Sequence, residues 1–153
     1  MRARFGDAID AALAGTLPAA WAAAPLAELL LLDQFTRNVF RGTPRAFAGD
    51  ARALALAQAL VDSGAHLALH PLERAFAYLP FEHAEDRAAQ ERGVALFAAL
   101  ATGDPYFDDT LDYARRHRDI VQRFGRFPHR NAIIGRPSTP DETAFLQQPG
   151  SSF

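Results

Sequence analysis

Three stretches of this chain set ionisable side chains among apolar ones at helical spacing. Between Leu29 and Phe40, Asp33 and Arg37 stand four residues apart in a run rich in Leu and Phe. Such residues share one helix face, so they form an i,i+4 ion pair in a segment that is apolar on its other sides. On a helix starting at His83, the side chains of His83, Asp86 and Gln90 continue the stripe formed by Val94, Phe97 and Ala101. Further on, His117 lies within the stripe of Phe107, Leu111, Ala114, Val121 and Phe124, with Arg118 close by, while Arg115, Arg116, Asp119 and Arg123 point away. Burying an ionisable group costs several kcal/mol unless it is paired or its pKa shifts. Three inward-facing sets are therefore expected to meet in one polar pocket, with Asp33, Arg37, His83, Asp86 and His117 mostly buried.

An imidazole beside a carboxylate moves protons near neutral pH. His83 or His117 would be the proton-transfer group, and Asp86 or Asp33 would orient the ring. Guanidinium forks match carboxylate and phosphate oxygens, so Arg37, Arg118, Arg126 and Arg130 would hold a small anion, with Asn38, Glu82, Gln90, His129 and Asn131 as further polar lining. No nucleophile is apparent, which leaves acid–base chemistry on a bound small molecule as the enzymatic reading. Two other readings fit the same residues. A binding module would clamp a peptide or its C-terminal carboxylate with Arg and Asn, and a structural protein would use the charges as internal ion pairs that fix helix register. A closed pocket lined by His83, His117 and His129 favours an enzyme, an open concave face favours a peptide, and a pocket filled by its own side chains favours structure.

Composition removes whole classes of chemistry. The 153 residues include no cysteine and no lysine, all 16 basic residues being Arg. Disulfides, thiol nucleophiles, thiolate zinc sites, Schiff bases and the phosphate-loop lysine are thereby excluded. His66 and His70 have i,i+4 spacing but sit in a Leu-containing loop ending at Pro71, so no metal site is expected, and no cofactor motif is present. The net charge of −2 hides an asymmetry: residues 1–110 hold 9 Arg against 14 acidic residues, and residues 111–136 hold 7 Arg against 2. A basic segment of this kind suits a phosphate, a carboxylate or an acidic surface of the same fold. A pI near 6.2 argues against nucleic acid.

The elements that must position these groups are helices. Dense Ala and Leu with little alternation predict an all-α, single-domain bundle of about six to seven helices, near 4–15, 25–39, 50–62, 71–79, 83–101, 105–124 and 139–147. Pro25, Pro71, Pro105 and Pro140 fit first turns, Thr139 and Glu142 form a capping-box pattern, and Gly15, Gly64, Gly103 and Gly125 fit the ends. Residues 126–138, broken by Pro128, Gly135 and Pro137, read as a basic loop packed on the single domain that spans 1–153. Leu29 to Leu32 lie between Glu28 and Asp33, far short of the roughly 20 apolar residues of a membrane span. Asp7 and Asp10 interrupt the apolar stretch that follows Arg2 and Arg4, so the start is not read as a signal peptide and the expected location is the cytoplasm.

Four motifs carry a resemblance: LLLLDQFTRNVFRG at 29–42, LPFEHAED at 79–86 followed by Gln90, YARRHRD at 113–119, and RFGRFPHRNAIIGR at 123–136. Together they resemble the bacterial domain of unknown function family 924 over nearly the whole chain. The resemblance implies an all-helical, TPR-like fold and no particular reaction. Three departures stand out. The chain starts at what would be the family's second helix, which implies either an exposed apolar patch around Trp21 and Leu26 or a homo-oligomer in which a second copy of the chain covers it. Ala84 stands where the family more often has Ser, which excludes a hydroxyl nucleophile there, and Thr36 stands where Pro is common.

Overall fold

The computed structural model describes residues 2–22 and 24–152, without the side chain of Ala22. Its Ala- and Leu-rich segments are wound into helices over 78% of the described residues, with no strand among them. The helices are α1 (Arg2–Ala14), α2 (Ala19–Ala22), α3 (Pro25–Leu30), α4 (Thr36–Val39), α5 (Asp50–Asp62), α6 (Pro71–His83), α7 (Arg87–Gly103), α8 (Asp108–Phe124), α9 (Asn131–Ile134) and α10 (Pro140–Leu146). Pro25, Pro71 and Pro140 open α3, α6 and α10, where a missing N–H costs nothing. Pro105 opens a 3-10 turn, Pro105–Phe107, that leads into α8. The Thr139 hydroxyl accepts from Glu142 N while the Glu142 carboxylate accepts from Thr139 N, closing the expected capping box. Gly15, Gly64 and Gly125 take left-handed φ values, whereas Gly103 ends α7 without one.

Helices α5, α6, α7 and α8 pack each against the next, and α3 lies across α5 and α6. Their shared core includes Leu29, Phe81 and Phe97, all essentially inaccessible. Ile9 and Ala12 of α1 close one side against Leu31 and Leu32. Trp21 and Leu26 are partly buried in these clusters. Pro18, Ala19, Ala20, Ala24 and Pro25 beside them are exposed, so the surface here is small and apolar, while the large apolar side chains most open to solvent among the described residues are Leu67, Leu72, Phe76, Tyr106 and Tyr113. No described helix is long and apolar enough to cross a membrane.

Three local departures from the expected elements shape the site. The helix expected to end at residue 79 runs through Pro80 to His83, because Pro80 and Phe81 are buried and their packing outweighs the lost hydrogen bond. The chain then turns extended over Ala84–Asp86, so His83 belongs to the end of α6 and not to the start of α7. Gln90 explains that break: its side-chain N–H groups donate to the carbonyls of Glu82 (2.6 Å) and Ala84 (2.8 Å), satisfying acceptors that α6 leaves open. Second, the expected basic loop is itself mostly helical, with a 3-10 turn at Pro128–Arg130 followed by α9. Third, the expected 25–39 helix is continuous but widens into a π-turn over Leu31–Phe35, a distortion concentrated at functional sites.

The π-turn is locked from both sides. Thr36 donates its hydroxyl to the Leu32 carbonyl at 2.6 Å, and the chain returns across that carbonyl at Gly49. A Cβ at position 49 would stand 2.3 Å from Leu32 O and 2.9 Å from Leu32 C, both backbone atoms that cannot swing away. Gly49→Ala is therefore expected to displace the neighbouring Asp50 from the site and to cost about 1–3 kcal/mol in thermal or urea unfolding. An unchanged melting temperature would show that the return loop is not pressed against the π-turn.

Candidate active site

The π-turn carries Asp33 into the core, where it is fully buried. One carboxylate oxygen, Oδ1, faces His83 Nδ1 at 2.7 Å and Arg37 Nη1 at 2.9 Å; Oδ2 accepts from the Gln34 side chain at 2.7 Å. Burial by itself pushes such a carboxyl up, but the His83 ring and the Arg37 guanidinium outweigh it and hold Asp33 down at about 2. The imidazole that must donate through Nδ1 to this carboxylate is left with Nε2 as its second ring nitrogen.

A chain of charges runs on from Asp33. Arg37 Nη2 lies 2.9 Å from Asp50 Oδ1, and Asp50 Oδ2 takes a hydrogen bond from Arg130 Nη1 at 3.1 Å. Burial raises Asp50 above the usual carboxylate range although Arg37 and Arg130 oppose this. Arg130, buried, donates its other Nη to the His83 carbonyl at 2.9 Å, and its guanidinium sits between the rings of Phe47 (4.7 Å) and Phe127 (4.5 Å). Four parts of the chain are thus tied together: the π-turn, α5, the end of α6 and the turn before α9.

Beside this network lies a cleft of about 310 Å³. His83, His117 and His129 line it, with Arg37, Arg41 and Arg130 around them and Asn38 at its edge. The His83 and His117 rings are 6.2 Å apart between centroids. His117 donates Nδ1–H towards Tyr113 O (2.9 Å) and has Glu82 Oε1 at 3.1 Å. Burial drives this neighbourhood to its neutral forms. It lowers His117 to about 3 and His129, with help from Arg130, to about 4, and together with the charge of Asp33 it raises Glu82 to about 8. Among the described residues no group of three or more His, Asp or Glu is placed to hold a metal ion.

With this geometry in place, comparison with known proteins places the chain. The model of a family described as "Bacterial protein of unknown function (DUF924)" matches residues 1–150. The chain belongs to this DUF924 family. A solved structure, that of the protein of unknown function ATU0120 from Agrobacterium tumefaciens, is similar at 46% identity with a TM-score of 0.83, over 95% of this chain and 81% of that one. No curated protein matches.

Within this DUF924 chain the expected residues separate into two groups. Asp33, Arg37, His83, His117, Glu82, His129 and Arg130 come together at the cleft or directly behind it. Asp86 stays out of the cleft: it is exposed at the margin of a second cavity behind His83, and its carboxylate caps α7 by accepting from Ala89 N at 2.7 Å. Arg118 folds onto its neighbour Asp119. Arg126 forms a two-pronged pair with Glu142, at 2.6 and 2.8 Å, and burial of that carboxylate is overridden so that it titrates at about 2. Asn131 is buried but turned towards Ser138 and Glu142, and Gln90 is spent on the end of α6. Sequence reasoning missed Arg41, Asp50 and Phe47, which all face the cleft or the second cavity behind it. Arg41 lies within the first motif, one residue before its end, and its place there was the available signal.

Proposed function

We propose that this protein binds a small anionic molecule in the cleft beside His83 and acts on it by acid–base chemistry, on a TPR-like stack of helices. The observation that carries this reading is the Asp33–His83 pair opening onto a cavity walled by arginines. His83 Nε2 takes a proton from the bound molecule, and the imidazolium so formed is balanced by Asp33, which keeps the Nδ1 proton and the ring orientation. Asp33 is a positioning residue, buried behind the ring. The proton returns to product from Nε2, so the pair ends as it began.

The charge inventory favours an anion. Arg37, Arg41 and Arg130 line the cleft, against Asp33 and Asp50 in the same network, while burial keeps Glu82 protonated at neutral pH. Arg37 and Arg130 are already engaged by those carboxylates. Arg41 is exposed and pairs with no carboxylate among the described residues, which makes it the cation available to a ligand.

Inorganic phosphate or sulfate is therefore expected to raise the melting temperature saturably. Arg41→Ala should abolish the rise without loss of fold, and Arg126→Ala, which alters a pair outside the cleft, should leave it intact. A rise that never saturates, or that survives Arg41→Ala, overturns the anion site. His83→Gln tests the second half: a small molecule retained by native mass spectrometry should still bind this variant but no longer exchange hydrogen with deuterated solvent.

A further inference from the structure

Behind His83 lies a second cavity of about 320 Å³. Phe47, His83 and Arg130 line both spaces, so the imidazole stands at their junction. The two differ in character. Around the first cleft Arg37, Arg41, Asn38 and Gln34 are polar; the second is walled by Ala51, Leu54, Ala84 and Ile134. The carboxylates at its margin are already committed. Glu85 holds Arg136 with both oxygens and accepts from Phe127 N, Asp50 holds Arg37 and Arg130, and Asp86 caps α7. They have no need of a ligand, and they repel an anion from that end.

We propose that the second cavity takes the apolar body of a ligand whose anionic head sits at Arg41, so that the atoms joining head to body lie over His83. This rests on the anion-binding reading and names its substrate class: a carboxylate or phosphate bearing an apolar group at least the size of a benzene ring. The size follows from volume, since an apolar cavity of about 150 Å³ already admits benzene. The orientation follows from charge, with arginines at one end and committed carboxylates at the other. A ligand so placed has its reacting atom next to the anionic group, within reach of the base.

The experiment compares inorganic phosphate with phenyl phosphate by calorimetry on the intact protein. Burying the ring should tighten phenyl phosphate over inorganic phosphate by about 10- to 100-fold. Ala51 is exposed at the rim of the second cavity, so Ala51→Trp fills that space without entering the core. This variant should bind inorganic phosphate as the parent does and lose the phenyl increment, the unchanged phosphate affinity serving as the control for folding. Equal affinities for the two anions in the parent, or an increment that persists in Ala51→Trp, overturn the proposal while leaving the anion site standing. If neither anion binds, the anion site itself fails, and the apolar extension falls with it.

Discussion

Asp33→Ala is expected to destabilise the protein by about 3–5 kcal/mol, the cost of removing one partner from a buried ion network. For a chain of this size that lowers the melting temperature by roughly 6–20 °C. The magnitude comes from what the substitution strands. Arg37 loses its closest carboxylate, at 2.9 Å, and the His83 ring loses the acceptor that fixes its Nδ1 proton. Arg37 would then hold its charge against Asp50 alone, whose own pKa is already raised by burial. The same carboxylate sets an acid limit. Its folded pKa, about 2, lies below its ordinary 3.8, so its contribution is complete above about pH 4 and is lost as pH falls through 2. Urea unfolding at pH 7, 4 and 2.5 measures both effects: the gap between parent and Asp33→Ala should narrow towards the acid end. A cost below about 1 kcal/mol at pH 7 would mean that the network is held by its surroundings and not by Asp33.

How much of this centre was legible in the chain depended on whether helical periodicity persisted around each residue. It persisted along α8, where Leu111, Ala114, His117 and Val121 are buried as the 3.6-residue repeat demands. It failed between His83 and Gln90. Extending one stripe through both residues was sound for an unbroken helix, but the chain leaves the helix at Ala84, and Asp86 turns outward to cap the next one. The stop is set by Gln90 reaching back to the carbonyls of Glu82 in α6 and of Ala84 just past its end, a tertiary contact with no local signature. The π-turn was equally hidden. Leu31, Leu32 and Asp33 are consecutive buried residues, which read simply as an apolar helix.

The arginines show a different limit. Charge asymmetry marked residues 111–136 as suited to an anion or to an acidic surface of the same fold, and the acidic partners that Arg130 and Arg136 find lie far along the chain. Arg136 pairs with Glu85 and Arg130 with Asp50, separated by 51 and 80 residues. Spacing cannot distinguish an arginine consumed in this way from one left for a ligand. Arg126 looked equivalent to Arg130 in sequence, yet Glu142, brought near by the turn into α10, takes it out of the site. Arg41 remained available because the return loop delivers Asp50 to Arg37 instead.

The second large effect concerns Glu82, and it acts in the opposite direction to that of Asp33. Burial, reinforced by the charge of Asp33, raises this carboxyl from its ordinary 4.5 to about 8, so the native state keeps a proton that the unfolded chain releases. A native state that binds more protons loses stability as pH rises, here between about 4.5 and 8. His117 and His129 work against this at lower pH. Their folded values, about 3 and about 4, lie below the ordinary 6.5, so each contributes stability that grows as pH rises towards 6.5 and then levels off. Above 6.5 the Glu82 slope is left unopposed within this group, and a stability maximum near that pH is expected. Glu82→Gln keeps the shape of the protonated acid and removes its titration. The variant should therefore stay close to the parent near pH 5 and exceed it above pH 8 by on the order of 5 kcal/mol, from the pKa difference at about 1.4 kcal/mol per unit. Urea midpoints at pH 5, 6.5, 8 and 9 measure this. Parallel pH profiles for the two proteins would show that Glu82 is ionised in the folded state, which would make its contact with His117 an ion pair and put the positive charge of a second imidazole on the wall of the cleft.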